Sequence, residues 1–84
     1  MIAANEIEEQ LLTFARREVF APHLGVTAET DLIQAGFDSM SLVRLLLFVE
    51  TTYGLWVPQS EITSATLLNL HALALTVSRL LHER

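Results

Sequence analysis

Apolar residues recur at helical spacing in three stretches of this chain, separated by one long and one shorter connection. In the first stretch Ile7, Leu11, Phe14 and Ala15 keep the helical period, and Asn5 followed three residues later by Glu8 resembles a capping arrangement. The spacing predicts a helix over about residues 5–19, with an acidic start and an Arg16-Arg17 end that both suit the helix dipole. From residue 21 to residue 38 no long period survives, and Pro22, Gly25 and Gly36 punctuate the run. Leu24, Val26, Leu32, Ile33 and Phe37 supply this connection with enough apolar surface to pin it against a core. Thr30 and Asp31, ahead of a segment that ends at Gly36, read as a capped single turn closed by glycine.

A second helix is expected to begin at Ser39 with Asp38 as its N-cap, because an aspartate carboxylate accepts the otherwise unpaired N–H groups of a first turn. It should run to about Tyr53 and stop at Gly54. Leu55, Trp56, Val57 and Pro58 follow as an extended link, since proline biases the residue before it away from helix. A short third helix is expected over about residues 59–65. Asn69 is then a suitable N-cap for a last helix over about residues 70–82, with Leu70, Leu73, Val77 and Leu80 on one stripe. Three longer helices, one short one and a long loop between the first and second predict an all-α fold, a small four-helix bundle, with residues 1–84 as one domain.

The second helix carries two apolar faces. At about 100° per residue, Leu42, Leu45, Leu46, Val49 and Tyr53 fall within an arc of roughly 100° and account for a core-facing stripe. Met40, Val43 and Leu47 form a separate arc of roughly 60°. Either the long loop covers this second stripe or it is a docking face beside Ser39, and the docking reading is preferred because so small a bundle cannot bury both. Arg44 and Glu50 flank the stripe. Trp56 suits either packing at the rim of the core or contact with a partner.

Composition narrows the partners. Hydrophobic residues make up 51% of the chain and charged residues 18%, which fits a folded globule. The net charge is -5 and none of the five basic residues is lysine, so nucleic acid is not an expected partner. With no cysteine there are no disulfides and no cysteine metal sites. The N-terminal stretch resembles no signal peptide and no segment is long and apolar enough to span a membrane, so a cytoplasmic protein is expected; a monomer is expected as well, although no residue pattern fixes the oligomeric state.

The serine at the start of the second helix is the residue with chemistry to offer. A serine nucleophile needs a base and an orienting acid, and His23, His71 and His82 are the only imidazoles. The glycine-flanked nucleophile elbow is missing, as are a Gly-rich phosphate loop and metal-spaced ligands. No catalytic residue and no metal site are therefore expected. A hydroxyl at a helix N-terminus can carry a phosphate, although taken alone such a serine is most often a cap.

Gly36-Phe37-Asp38-Ser39-Met40, with Leu32 upstream and Val43 and Leu46 downstream, resembles the phosphopantetheine attachment site of the acyl and peptidyl carrier protein family. The likeness extends to the order of helices, the Tyr53-Gly54 and Val57-Pro58 link and the final amphipathic helix. It implies that a separate phosphopantetheinyl transferase converts Ser39 into a phosphodiester of 4'-phosphopantetheine, taken from coenzyme A, whose thiol holds a substrate as a thioester. It further implies that Asp38 helps the transferase recognise the site, and that Met40, Val43, Arg44, Leu47 and Trp56 face partner enzymes. Those partners would be an acyl- or aminoacyl-loading enzyme and downstream synthase, condensation or tailoring enzymes. Fatty-acid carriers usually continue the helix with acidic residues, whereas here Glu50 is the only acid among Ser41, Arg44 and Thr51-Thr52. The Asp38-Ser39-Met40 run with Leu45-Leu46-Leu47 is more similar to discrete aminoacyl or D-alanyl carriers, and Leu32-Ile33 to aryl carriers, so the cargo class stays open. The competing reading is an unmodified helical interaction module on the same fold.

Overall fold

Three α-helices, α1 (Ala4–Glu18), α2 (Ser39–Tyr53) and α3 (Leu70–His82), form the computed structural model, which describes residues 2–83; single 3₁₀ turns occur at Pro22–Leu24 and Gln59–Glu61. Local hydrogen bonds set the bounds of α2 and α3. Asp38 accepts the Ser41 N–H at 2.9 Å, Asn69 accepts the Ala72 N–H at 2.8 Å, and Gly54 ends α2 in the left-handed conformation at φ 64°. At α1 the expected cap is not formed. The helix starts one residue earlier behind Ala3, which offers no side-chain cap, and Glu8 reaches across to His71 Nδ1 on α3 at 2.5 Å instead. A hydrogen-bonding partner on another helix takes the place of the local one.

One connected cluster of buried side chains holds the elements together. Ile7, Leu11 and Ala15 come from α1, Leu45 and Val49 from α2, and Leu70, Leu73, Ala74 and Val77 from α3. Full burial of each larger side chain contributes about 1.5–3 kcal/mol. Phe14 is only half-buried, because its ring stacks on Phe48 at a centroid distance of 4.5 Å along the outside of the α1–α2 seam. Leu42, Leu46, Tyr53 and Leu80 likewise border the core without full burial. The backbone of α1 runs close along α3 and touches α2 only sparingly.

Between α1 and α2 the chain is built into the core. Val26, Leu32 and Phe37 are buried, with Phe37 packed against Phe20 at 6.3 Å between ring centroids. The Leu32 N–H donates to the Leu68 carbonyl and the His71 N–H to the Ala28 carbonyl, both at 3.0 Å, so the connection is stitched to the entry of α3. From α1, the Arg16 Nε–H donates to the Val26 carbonyl at 2.8 Å. Leu24 and Ile33 were expected in the core and lie outside it, at 47% and 69% exposure. Each sits in a tight turn, and in the turn that holds Ile33 it is Leu32 that faces inward.

The short third helix expected over residues 59–65 shrinks to the single 3₁₀ turn, so three α-helices stand where a four-helix bundle was expected. Thr63 explains the loss. Its hydroxyl accepts the Thr66 N–H at 3.2 Å and meets the Thr66 hydroxyl at 3.3 Å, holding a turn that competes with helix.

Candidate functional site

Ser39 is the first residue of α2 and lies exposed at its N-terminus. Its position is fixed from both sides. On the loop side, the Asp31 carboxylate accepts the Gln34 N–H at 3.2 Å, the Gly36 N–H donates to the Ile33 carbonyl at 3.1 Å, and the Phe37 N–H donates to the Leu32 carbonyl at 2.9 Å. Gly36 closes this turn at φ 96°, a conformation that side-chain-bearing residues rarely adopt. Buried Phe37 then anchors the backbone two residues before the serine. On the helix side, Leu45 is fully buried and sets the rotation of α2.

Asp38 Oδ1 accepts both the Ser41 N–H and the Ser41 hydroxyl at 2.9 Å. Donation from the Ser41 N–H, then from its hydroxyl, holds the Asp38 carboxyl below its ordinary value. Asp38 is thus an ionised cap whose charge is met within the first turn. The Ser39 hydroxyl makes no hydrogen bond to any described residue. An exposed, uncommitted hydroxyl at the positive end of a 15-residue helix suits a phosphodiester, since the helix end favours the added negative charge. A hydrolytic centre is not assembled around it. His71 pairs with Glu8, His82 Nδ1 meets the Ser78 carbonyl at 2.7 Å, and His23 lies in the first 3₁₀ turn. Among the described residues no group of three potential metal ligands occurs.

Beyond the serine, Met40, Val43 and Leu47 are 64%, 49% and 52% exposed, and Trp56 is 66% exposed. The long loop does not cover this stripe. Arg44 is also exposed, but its Nη1–H donates to the Glu18 carbonyl at the C-terminal end of α1, at 2.9 Å. A cation at that end complements the helix dipole, and the bond ties α2 to α1.

Sequence reasoning missed the recess that this tie crosses. Arg44 borders a cavity of about 220 Å³ shared with Val19, Asp38, Met40 and Ser41, and also an open groove of about 540 Å³ lined by Phe14, Glu18, Leu47, Phe48, Thr51 and Thr52. The half-polar side of α2 at Arg44, Phe48 and Thr51 was a signal that α1 does not close over the helix there. The facing residues lie on another helix and carried no such mark.

The sequence model of the family described as "Phosphopantetheine attachment site" matches residues 9–74, which takes in the Ser39 turn and all of α2. No curated protein matches the chain in sequence. Among solved structures, the chain is similar to a carrier protein from Bradyrhizobium japonicum, crystallised in its glycylated form with glycine:[carrier protein] ligase. The two are 28% identical with a TM-score of 0.63, over 87% of this chain and 96% of that one. With an all-helical fold shared along most of its length and the family's sequence pattern across its central 9–74 region, the chain belongs to the phosphopantetheine-attachment family, carrier proteins whose prosthetic group is covalent 4'-phosphopantetheine.

Proposed function

We propose that this protein is a discrete aminoacyl or acyl carrier, one domain over residues 1–84, with Ser39 as its attachment residue. The observation that carries the reading is the exposed, uncommitted Ser39 hydroxyl at the capped start of α2, inside the region matched by the family. In the modification, Ser39 Oγ attacks the phosphorus of coenzyme A that bears the pantetheine. A new O–P bond forms, the P–O bond of the diphosphate breaks, and adenosine 3',5'-bisphosphate leaves; a base of the transferase takes the hydroxyl proton. When bound, the group supplies the thiol that this cysteine-free chain lacks.

The chain's own residues then position rather than catalyse. Asp38 keeps the first turn of α2 in register and marks the site for the transferase. Met40, Val43, Leu47 and Trp56 offer an apolar surface to the transferase and to a loading enzyme, and weak docking of this kind permits exchange between partners. Likeness to a glycylated carrier, and the scarcity of acidic residues on α2, favour an amino acid as cargo and an amino acid:[carrier protein] ligase as loading enzyme. Condensation or tailoring enzymes would then receive the thioester. Tethering supports such delivery by raising the effective concentration of cargo at each docked site.

Incubation with coenzyme A and a broad-specificity phosphopantetheinyl transferase, followed by intact mass measurement, tests the reading. The expected result is a gain of one phosphopantetheinyl group that disappears in Ser39→Ala. No gain, or a gain that survives the substitution, rejects it in favour of an unmodified interaction module.

A further inference from the structure

We infer that Arg44 is an anchored receptor for a carboxylate on the protein that docks at α2: this partner presents an Asp or Glu among apolar side chains, and not a cluster of cations. Which protein that is rests on the reading of Ser39 as the attachment point, and on that reading it is the loading enzyme.

The helix lays out the charges around the exposed stripe. Met40, Val43 and Leu47 keep about half or more of their surface in solvent. At about 100° per residue, Arg44 lies about 40° from Met40 on one flank of the stripe, and Glu50 lies about 20° beyond Val43 on the other. Along the axis Arg44 is within about one turn of all three apolar residues, whereas Glu50 stands about 9 Å farther on. Asp38, at the helix start, has its Oδ1 engaged by the Ser41 N–H and hydroxyl. A surface of cations laid on the stripe would meet Arg44 at its centre and gain only Glu50 at its end.

Arg44 is also built to take a carboxylate. Its Nη1–H donates to the Glu18 carbonyl at 2.9 Å, a bond between helices that fixes the end of a long side chain. The Nε–H and Nη2–H groups form the side-on fork that a carboxylate fills with two parallel bonds, and they have no partner among the described residues. Nor does Arg44 form an ion pair among them. Asp38 and Glu18 border the same recesses as Arg44, but the first bonds to Ser41 and the second has its carboxylate 4.0 Å from Arg17 Nε. A guanidinium already held in place loses little freedom on pairing. The apolar residues beside it select a protein over a small anion, since only a partner that covers Met40, Val43 and Leu47 takes them out of water.

Two synthetic helical peptides test the inference. They share a stripe of leucines and differ in one residue beside it, Glu or Lys, and each is titrated into the isotopically labelled chain by NMR. Binding should shift the signals of Met40, Val43, Arg44 and Leu47, with the Glu peptide bound more tightly. The net charge of -5 favours the Lys peptide at long range, so a preference for Glu has a local source. Arg44→Gln should lower the ratio of Glu-peptide to Lys-peptide affinity about three- to fivefold, the effect of one exposed ion pair, and Arg44→Glu should lower it further. Arg44→Lys keeps the charge and should retain more of the ratio than Arg44→Gln. Arg17→Gln removes a like charge from α1, away from the stripe, and should leave the ratio unchanged. High salt should bring the ratio toward one.

Tighter binding of the Lys peptide by the parent chain, or a ratio that Arg44→Gln does not change, overturns the inference. So do equal losses in Arg44→Lys and Arg44→Gln, which would assign the effect to the tie with Glu18, and an absence of binding by either peptide up to about 1 mM. Intact mass after treatment with coenzyme A and a transferase is read separately. No gain on Ser39 removes the attachment reading and the loading enzyme as partner, whereas the affinity ratio decides the carboxylate site by itself.

Discussion

Leu45 and Val49 on α2 are fully buried, whereas Met40, Val43 and Leu47, also apolar and on the same helix, keep about half or more of their surface in solvent. Hydrophobicity alone does not separate the two stripes. Their surroundings do: the first faces the shared core with α1 and α3, and the second lies outside that core, exposed. Retaining three large exposed apolar side chains beside an exposed serine runs against solubility, which is the physical reason to assign that stripe a partner.

Removing Leu45 is the harshest test of this contrast. Leu45→Ala should lower unfolding free energy by about 2–5 kcal/mol in chemical denaturation, through lost transfer energy and the cavity left behind. Leu47→Ala should stay within about 0.5 kcal/mol of the parent. Equal losses at the two positions would erase the distinction between core and outer stripe.

On the outer stripe the larger effect is expected in function. Val43→Asp should reduce kcat/KM for modification by a phosphopantetheinyl transferase on the order of tenfold, equivalent to about 1.4 kcal/mol. Its melting temperature should stay near that of the parent, because Val43 is 49% exposed. A fall in stability without a loss of transfer would place Val43 with the core.

Asp38 sharpens the comparison at the end where the stripes meet. Its folded-state pKa is depressed by the Ser41 bonds, so its contribution is present above the ordinary carboxylate value and is lost as pH falls through the lowered one. Asp38→Ala should therefore lower the melting temperature by a few degrees at neutral pH, with the difference from the parent shrinking under strong acid. A difference that does not change with pH would mean that the charged cap contributes nothing.

The smallest effect concerns Tyr53, at the far end of α2, whose hydroxyl donates to Gln10 Oε1 at 2.6 Å. Partial burial pushes its phenol up to about 12. Any stability it contributes is fully present below its ordinary pKa and lost as pH rises through the raised one. Phe48→Leu removes the edge-on ring 6.2 Å from Tyr53 and should bring the absorbance midpoint of phenol ionisation back toward its ordinary value. An unchanged midpoint would show that Phe48 does not shield the phenol.

Much of this arrangement was legible before any coordinates. Asp38, Gly54 and Asn69 mark their helix ends correctly because each cap is satisfied within four residues, and the Ser39 motif lies in the turn that Asp38 caps. The same local logic failed at Asn5 and at residues 59–65. At the first, Glu8 found a partner on α3; at the second, Thr63 bonded its own backbone neighbourhood. Leu24 and Ile33 were misplaced because an apolar residue in a turn carries no period to say which side faces inward.

Taken by itself, then, the sequence determined where α2 and α3 begin and end, that α2 has two apolar faces, and that an exposed serine stands at its capped start. Those features depend on bonds and spacings between near neighbours along the chain. Tertiary structure alone decided that Leu45 and Val49 are the members of the core-facing stripe to be fully buried, that Arg44 crosses to α1, and that a groove opens between Phe14 and Thr51. These depend on how helices distant in sequence share a limited core: α1 spends its apolar face on α3, and the side of α2 that it leaves uncovered is open to solvent.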